Sequence, residues 1–317
     1  MIETELSAPA AALGTWAWGD IGEPGDGYFG SGLGLSDLHE IVDRAHSNGF
    51  TLWDTAAVYG MGRAESALGH VLSDYERSDY QLSAKFTPQL AGDGENPVAD
   101  MLEQSLQRLR TEYVDILWIH NPADVERWTP LLVPLLRSGA VRHVGVSNHD
   151  LDQIARADGI LQAAGFRVEA VQNHYSLLYR KSENAGILRY CRDRDMRFFS
   201  YMVLEQGALS GRYSPANPMP EGTNRAASYN EVLPRLRTLT DRMAAIGARR
   251  TASPAEVALA WAISKGTTPI VGVTRPDYLD ALVRARAIEL THEEIVELEA
   301  VADATGVDTR GWWEQEM

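Results

Sequence analysis

The sequence predicts an α/β protein, and within that class a (β/α)8 barrel, or TIM barrel, with extra helices and a long loop after strand 7. Short β-prone segments alternate with longer segments of helical periodicity along the 317-residue chain. Several β-prone segments end in a polar side chain, as expected where parallel strands deliver groups to one rim of a barrel. A doubly wound sheet with a second domain is the rival. We prefer one barrel domain over 1–317, because no linker divides the chain.

Eight strands are predicted, each rich in apolar and β-branched residues and bounded by turn formers. They lie at 10–16, 50–54, 80–85, 114–120, 141–148, 168–173, 196–201 and 269–273. Helices are predicted between them, because apolar residues recur there on one helical face. They lie at 36–48, 65–72, 97–110, 126–137, 150–164, 182–194, 231–246, 276–286 and 291–303, with one more beginning at 253.

Several helix ends carry capping signals. Ser36 and Asp150 are predicted N-caps. Ser253-Pro-Ala-Glu256 and Thr291-His-Glu-Glu294 have the capping-box pattern, in which the hydroxyl and the glutamate each satisfy a backbone N–H. The Gly/Pro-rich stretch from 204 to 230 is predicted to be a loop, and at that length it is either functional or disordered.

Composition excludes several classes of function. The formal net charge of −15 argues against a nucleic-acid partner, because phosphate binding needs a basic face. No apolar run is long enough to span a membrane, and the acidic N-terminus lacks a signal-peptide pattern. The single cysteine, Cys191, cannot form an internal disulfide, so we expect a reducing, cytoplasmic setting. A homo-oligomer is possible, but no exposed apolar stripe indicates its interface.

Three strand ends, and the loop after one of them, carry candidate proton-transfer groups. Asp54 ends the second strand and Tyr59 lies in the loop that follows, while Lys85 and His120 end the third and fourth strands. An ammonium beside a phenol stabilises the phenolate and lowers the phenol pKa. The aspartate would keep that lysine charged, and the histidine could bind a substrate oxygen. Such a group suits protonation of an oxygen that gains negative charge, as in reduction of a carbonyl by hydride.

Other interpretations of these residues stay open. Asp54 and Lys85 could form a structural ion pair, and His120 could have purely internal partners. A metal site from Asp54 and His120 lacks a third ligand, so no metal is expected. The G-x-G-x-x-G pattern at 25–30 neither follows a strong strand nor opens a helix, and we interpret it as a loop rather than a dinucleotide fingerprint.

Together the motifs resemble those of the aldo-keto reductase family, over nearly the whole chain and nearest to its channel β-subunit-like branch. The matching segments are Leu13-Gly-Thr-Trp16, Trp53-Asp-Thr-Ala-Ala-Val-Tyr59-Gly60, Ser83-Ala-Lys85, Ile119-His120, Val144-Gly-Val-Ser-Asn148, Gln172 and Glu205-Gln-Gly-Ala-Leu-Ser-Gly-Arg-Tyr213. The resemblance implies a barrel that binds NADPH, less often NADH, across its mouth. It implies a catalytic tetrad of Asp54, Tyr59, Lys85 and His120, with Tyr59 as the general acid.

The resemblance also assigns cofactor contacts by position. Ser147, Asn148 and Gln172 would hold the nicotinamide carboxamide, and Tyr201 would stack on the ring. The other predicted cofactor contacts are Thr15, Trp16 and Asp54 near the first strands, Met202, Val203, Leu204, Glu205, Gln206 and Arg212 over the pyrophosphate, Arg225 on the phosphate side, and Gly272, Thr274, Arg275 and Tyr278 toward the adenosine.

The adenosine end departs from the family's pattern. The family usually has an Arg or Gln, then a Glu and an Asn, where this chain has Tyr278, Ala281 and Leu282. Arg275 could still bind a 2′-phosphate, and Tyr278 could stack on adenine. On the strength of Arg275 we predict NADPH rather than NADH.

The predicted substrate is a small-molecule carbonyl compound in contact with Trp18, Tyr59, His120 and Asn121. Aromatic residues that could wall the pocket are Trp16, Trp18, Tyr28, Trp128, Trp312 and Trp313. A cofactor-binding regulatory subunit, as in the channel-associated branch, fits the same motifs, and so does alcohol oxidation at the same site. We prefer an enzyme, because the sequence has no basic or apolar segment suited to a partner.

Overall fold

The computed structural model describes residues 6, 9–19, 32–311 and 314. Within them, eight parallel strands pair in sequence order, and the last pairs with the first to close a barrel. The strands are β1 (Ala12–Gly14), β2 (Leu52–Asp54), β3 (Gln81–Phe86), β4 (Val114–Ile119), β5 (Val141–Ser147), β6 (Ala170–His174), β7 (Arg197–Tyr201) and β8 (Thr268–Gly272). The predicted (β/α)8 barrel is confirmed, and each strand overlaps its predicted range.

Helices cover the outside of the barrel. They are α1 (Leu35–Ser47), α2 (Arg63–Leu72), α3 (Pro97–Leu109), α4 (Val125–Trp128), α5 (Val133–Ser138), α6 (Leu151–Ala163), α7 (Lys181–Asn184), α8 (Ile187–Asp193), α9 (Asn224–Tyr229), α10 (Leu233–Ala248), α11 (Pro254–Ser264), α12 (Asp277–Arg286) and α13 (His292–Ala304). On α1, Leu38, Ile41, Val42 and Ala45 form one buried face that joins the main core, as their spacing predicts. In the described part of the chain, no helix combines the length and apolar content needed to cross a bilayer.

Most of the predicted capping signals are confirmed. Asp150, Ser253 and Thr291 each accept the backbone N–H three residues on, and the Gln or Glu at that position returns the bond. Ser36 is not an N-cap, because its helix begins one residue earlier. The Asp37 carboxylate caps that helix instead, 2.7 Å from the backbone N–H three positions before it.

Two predicted helices are each divided in the structure. The segment 126–137 forms α4, a 3-10 turn and α5, because Pro130 and Pro134 lack the N–H that a continuous helix needs. The segment 182–194 forms α7 and α8, because Gly186 between them has a left-handed φ of +80°. Both breaks lie on the outside of the barrel and leave the strand order unchanged.

The stretch predicted as a loop at 204–230 ends in a helix. Helix α9 occupies its last part and begins where the Thr223 hydroxyl accepts the N–H of Ala226 at 3.2 Å. Met219 and Tyr229 pack with Leu236 of α10 in a small separate core. The segment after β7 is therefore supported by apolar contacts of its own.

Large side chains fill the interior of the barrel. The Trp118 indole meets the Phe199 ring edge-on, with 5.4 Å between ring centroids, and both belong to a cluster with Leu52. Gly145 leaves room for the indole, since a Cβ there would lie 2.2 Å from the ring. Side chains alternate along a strand, so the residue two positions after an inward apolar residue points inward at the rim. Asp54 follows Leu52 in this way.

Candidate active site

A cavity of about 840 Å³ opens at the carboxyl end of the barrel. Its wall consists of strand ends and the loops that follow them. The residues predicted for the site that line it are Trp16, Asp54, Tyr59, His120, Asn121, Ser147, Asn148, Gln172, Tyr201, Met202, Val203, Leu204, Gln206 and Gly272. The fold therefore gathers side chains that are far apart in the sequence.

Asp54 is the centre of a buried polar cluster beside this cavity. Its Oδ1 accepts hydrogen bonds from Ser83 Oγ at 2.6 Å and from Gln172 Nε2 at 3.1 Å. Its Oδ2 pairs with Lys85 Nζ at 2.5 Å. That ammonium also donates to the backbone carbonyl of Thr55 at 2.9 Å. The side chains of Lys85 and Asp54 are 0% and 4% exposed, so each charge depends on the other in place of water.

Tyr59 lies where this ion pair meets the cavity. Its Oη is 3.2 Å from Lys85 Nζ. The ring stacks on Trp16, with 6.0 Å between centroids, and meets the edge of His120 at 6.1 Å. Contacts on both sides therefore hold the phenol with its hydroxyl next to the ammonium.

The backbone after Tyr59 packs tightly, and we expect Gly60→Ala to destabilise the protein. Gly60 has φ +56°, and an added Cβ would lie 2.1 Å from the carbonyl oxygen of Gly19. Strain from the left-handed backbone and the clash should together lower the free energy of unfolding by about 2–4 kcal/mol, measured by urea denaturation.

Gly49→Ala is the matched control, because Gly49 also has a positive φ (+73°) but no atom within 4 Å of an added Cβ. This variant carries only the backbone strain, so we expect it to lower the free energy of unfolding by about 1 kcal/mol. Equal losses in the two variants would contradict the steric explanation.

Enclosure by the protein changes the proton affinity of the phenol and the ammonium. Desolvation raises the pKa of Tyr59 and outweighs the opposing charge of Lys85. Lys85 therefore acts on the phenol in the expected direction, but the net shift of the Tyr59 pKa is upward. Burial disfavours the charged form of Lys85, but attraction to Asp54 and Tyr59 is greater, so the lysine pKa is raised. At neutral pH the site holds a charged lysine beside a protonated phenol, which is a proton donor.

His120 is a neutral partner of Tyr59 at the cavity wall. Desolvation, and after it the charge of Lys85, lower its pKa to about 3. Its Nδ1 is 3.0 Å from Thr87 Oγ1. When the hydroxyl donates to Nδ1, the neutral ring keeps its proton on Nε2 and can donate it to a ligand oxygen. Next to it, Asn121 Nδ2 donates to Gln89 Oε1 at 3.1 Å, so this part of the wall is polar and uncharged.

Asn148 joins the ends of β4, β5 and β7. Its φ of +62° is left-handed, which is uncommon for a residue other than glycine. Its Nδ2 donates to the backbone carbonyl of His120 at 2.9 Å and to Ser147 Oγ at 3.2 Å. Its Oδ1 accepts from Tyr201 Oη at 2.5 Å. These bonds fix the Tyr201 ring as part of the cavity wall.

The loop after β7 contains strained backbone. Positive φ angles occur at Met202 (+61°), Glu205 (+48°), Gln206 (+52°) and Gly207 (+102°). Left-handed residues in turns of this kind turn backbone N–H groups into anion-binding concavities, and such strain is typical of functional sites. The Glu205 side chain does not line the cavity. It is fully buried and accepts a hydrogen bond from Tyr229 Oη at 2.7 Å, which anchors the loop.

Glu205 belongs to a buried ionic cluster behind Tyr201. His174 lies between two carboxylates, with Nε2 2.9 Å from Glu205 Oε1 and Nδ1 2.8 Å from Glu314 Oε1. The imidazole stacks on Tyr201, with 5.5 Å between centroids. Burial disfavours charge on His174, but the two carboxylates, Glu205 foremost, raise its pKa to about 9. At neutral pH the ring is an imidazolium.

The His174 cluster predicts a pH-dependent stability. Because the folded-state pKa is raised from 6.5 to about 9, the contribution is complete below pH 6.5 and is lost as the pH rises through about 9. The advantage of the wild type over His174→Gln should therefore shrink across that window, by on the order of 3 kcal/mol. Urea denaturation of both proteins from pH 6 to pH 10 measures it. An advantage that grew with pH would contradict the assignment of the charge to His174.

Of three predicted arginines, Arg212 and Arg225 lie in the segment after β7, and Arg275 follows β8. Arg212 is 3.4 Å from the Tyr278 hydroxyl, and Arg225 lies 5.5 Å above a tyrosine ring. Arg275 is exposed and pairs with Asp277 at 2.9 and 3.1 Å. None of the predicted residues of this region lines the cavity: Arg212, Arg225, Thr274, Arg275 and Tyr278. They could contact only a ligand that extends past the cavity.

Two predicted residues, Trp18 and Thr15, do not place their side chains in the cavity. Trp18 is fully buried, its Nε1 donates to the carbonyl of Val273 at 2.7 Å, and its ring packs on Trp53. It cannot reach a substrate in this structure. Thr15 is also fully buried, and its Oγ1 donates to the backbone carbonyl of Asp54 at 3.1 Å. It positions the end of β2 rather than a ligand.

The aromatic candidates for the pocket wall separate into distinct groups. Trp16 lines the cavity, whereas Trp128 is core and packs on Phe86. The remaining predictions of this kind, Tyr28, Trp312, Trp313 and the glycine pattern at 25–30, lie outside the described residues.

Ser83, Gln89 and Glu314 are parts of the site that the sequence analysis did not assign. Ser83 is in one of the motifs that resemble the family. It lies two residues before Lys85 on the same strand, so its side chain points to the same side, and this spacing could have indicated that it belongs to the site. Glu314 has no local signal, because tertiary contacts alone bring the segment after α13 back to the mouth. No group of three or more His, Cys, Asp or Glu side chains in the described residues is arranged to hold a metal ion.

The protein is thus a (β/α)8 barrel with proton-transfer groups at its carboxyl rim. These groups are a buried Asp–Lys pair, a phenol and a neutral histidine. The model of the aldo/keto reductase family matches residues 12–303. The chain belongs to the aldo/keto reductase family. This membership makes it an oxidoreductase and confirms the resemblance drawn from its motifs.

Curated relatives match along most of their length. Chloroplastic pyridoxal reductase of Arabidopsis thaliana is 29% identical over 315 residues, which cover 94% of this chain and 84% of that protein. An uncharacterized oxidoreductase of Mycobacterium tuberculosis is 31% identical over 285 residues, which cover 88% of this chain and 84% of that protein. The similarity therefore extends well beyond the motifs of the site.

Solved structures support the fold independently. Glycerol dehydrogenase from Gluconobacter oxydans superposes with a TM-score of 0.75 at 22% identity, covering 95% of both chains. An aldo-keto reductase from Klebsiella pneumoniae in complex with NADPH superposes with a TM-score of 0.70 at 23% identity, covering 92% of this chain and 90% of that one. At these identities the likeness establishes the barrel.

Proposed function

We propose that the protein reduces an aldehyde or ketone to an alcohol, with NADPH as cofactor and Tyr59 as general acid. The observation that carries the proposal is the position of the Tyr59 hydroxyl, 3.2 Å from a Lys85 ammonium that Asp54 holds at 2.5 Å. A protonated phenol at a cavity wall can give its proton to a carbonyl oxygen. The adjacent ammonium then stabilises the phenolate that remains.

The other groups of the site complete this chemistry. When bound, the cofactor supplies a hydride to the carbonyl carbon, and the carbonyl oxygen gains negative charge. His120 can donate Nε2–H to that oxygen and orient it toward Tyr59. Tyr59 transfers its proton to the oxygen, and Lys85 holds the resulting phenolate. In reverse, the same phenolate would accept the proton of an alcohol, so the direction depends on the substrate and the cofactor ratio.

The residues of the cavity fit a nicotinamide dinucleotide. Ser147, Asn148 and Gln172 place hydroxyl and amide groups near the Tyr201 ring, where the family resemblance expects the carboxamide and the nicotinamide. The loop after β7 borders the cavity through Met202, Val203, Leu204 and Gln206, and its left-handed turn is of the kind that binds anions through backbone N–H groups. The solved structure of the Klebsiella relative contains NADPH, which supports the same cofactor for this chain.

The choice of NADPH over NADH rests on Arg275. Its guanidinium is exposed and pairs with Asp277, so a 2′-phosphate would have to take over or share this pairing. Because an exposed ion pair is weak, a phosphate can compete for it. Dissociation constants for the two cofactors, measured by fluorescence titration, test the choice. Tighter binding of NADH would overturn it.

The test of the proposed function follows both the cofactor and the hydrogen. Purified protein is mixed with NADPH deuterated at the transferable position and with a panel of aromatic aldehydes, ketones and sugars. Nicotinamide absorbance should fall, and the alcohol product should carry deuterium at the former carbonyl carbon. Cofactor that binds tightly while no panel compound is reduced would count against a reductase of such carbonyls.

A further inference from the structure

We propose that the cavity selects against anionic substrates, and that Glu314 is the residue responsible. The inference rests on the proposed function, since it names the class of carbonyl compound that the site accepts. Uncharged compounds with an apolar body, and cationic ones, would be favoured over carboxylates and phosphate esters.

The reactive end of the cavity provides no uncompensated positive charge. The Lys85 ammonium is 0% exposed and is paired with the Asp54 carboxylate at 2.5 Å. His120 lines the cavity as a neutral ring. An anionic group on a substrate would therefore find dipoles and hydrogen-bond donors here, but no free cation.

The rest of the wall also lacks cations. No lysine or arginine side chain lines the cavity within residues 9–19, 32–311 and 314. The wall near Tyr59 is formed by Trp16, Val58 and Leu90, and the Asn121–Gln89 amide pair adds polarity without charge. These surfaces suit an uncharged carbonyl compound with an apolar or aromatic body.

Glu314 brings a second carboxylate to the wall, in addition to Asp54, whose charge Lys85 balances. It lines the cavity, its side chain is 3% exposed, and its Oε1 accepts from His174 Nδ1 at 2.8 Å and lies 3.2 Å from Tyr201 Oη. His174 also pairs with Glu205, so two carboxylates share one imidazolium and the cluster carries one net negative charge. In a cavity walled by apolar groups, such a charge acts more strongly than at the surface.

The cluster is connected directly to the reactive end. The Tyr201 hydroxyl shares its one proton between Asn148 Oδ1 at 2.5 Å and Glu314 Oε1 at 3.2 Å, and Asn148 Nδ2 donates to the carbonyl of His120. Three hydrogen bonds thus separate Glu314 from the residue that would bind the carbonyl oxygen. A substrate carboxylate in the same cavity would be repelled by Glu314.

The experiment compares three para-substituted benzaldehydes of different charge in the wild type and in Glu314→Gln. The probes are 4-methylbenzaldehyde, 4-formylbenzoate and 4-formyl-N,N,N-trimethylanilinium, assayed for kcat/KM with NADPH. For each compound, kcat/KM of the variant is divided by kcat/KM of the wild type, so that the intrinsic reactivity of the compound cancels. Relative to the neutral compound, that ratio should rise by on the order of tenfold for the anion and fall for the cation.

Glu103→Gln is the control, because Glu103 is exposed on α3, outside the cavity wall, and its replacement removes the same charge. It should leave all three ratios unchanged. If Glu314 only supports Tyr201, the variant would change all three compounds by one factor, and the inference would fail. If no aldehyde is reduced, the proposed function fails separately. In that case the dissociation constants of the same compounds, measured by tryptophan fluorescence, test the inference. It fails if Glu314→Gln does not increase the affinity for the anion more than the affinity for the neutral compound.

Discussion

Replacement of Tyr59 by phenylalanine is expected to lower kcat for carbonyl reduction by about 10³-fold, because general acid catalysis typically contributes 10²- to 10⁴-fold. The change removes one oxygen atom and keeps the ring that stacks on Trp16 and meets His120. The dissociation constant for NADPH should therefore change little. Single-turnover kinetics, with binding measured separately, separate the two quantities.

Tyr75→Phe is the matched control for this substitution. The Tyr75 hydroxyl donates to Asp43 between α1 and the end of α2 and does not line the cavity. Its loss should leave kcat unchanged. If Tyr59→Phe retained more than a tenth of wild-type turnover, another group would have to supply the proton.

Replacement of Lys85 by methionine is expected to lower the free energy of unfolding by about 3–5 kcal/mol, because it leaves a buried carboxylate unpaired. Asp54 would keep its bonds to Ser83 and Gln172 but lose the only cation that contacts it within the described residues. Urea denaturation at neutral pH measures the loss. Arg237→Met is the control, since that arginine pairs with Asp241 at an exposed site and should contribute less than about 0.5 kcal/mol.

A second substitution tests the cause of this loss. In the double variant Asp54→Asn/Lys85→Met, the amide is uncharged and its oxygen can still accept from Ser83 and Gln172. We expect the double variant to be more stable than Lys85→Met alone, because no charge remains unpaired. Equal stability would mean that the loss comes from packing rather than from charge.

The barrel was predictable because its determinants are local. Alternating apolar segments and helical periodicity are set by backbone geometry, and a capping box such as Ser253 with Glu256 needs only four residues. The helix breaks at Pro130, Pro134 and Gly186 also have local causes in the sequence. They were missed because the apolar periodicity runs through them, although neither residue type continues a helix easily.

The site was predictable as far as strand ends decide it. Asp54, Lys85 and His120 lie where parallel strands deliver them, and Tyr59 follows in the next loop. The direction in which a side chain points, and how deeply it is buried, were not predictable in the same way. Trp18 and Glu205 are next in sequence to residues that line the cavity, but their side chains point into the core. There Trp18 bonds to the carbonyl of Val273, and Glu205 bonds to the hydroxyl of Tyr229. The net direction of the Tyr59 pKa shift was not predictable for the same reason, because desolvation is a property of the whole fold.

The contact between Trp118 and Gly145 closes the interior of the barrel. The indole occupies the space that a side chain at Gly145 would take, and it packs with Phe199 and Leu52. The cavity at the carboxyl end therefore has a packed floor, so a bulkier ligand can gain room only by extending outward over the rim, along the loops that follow the strands.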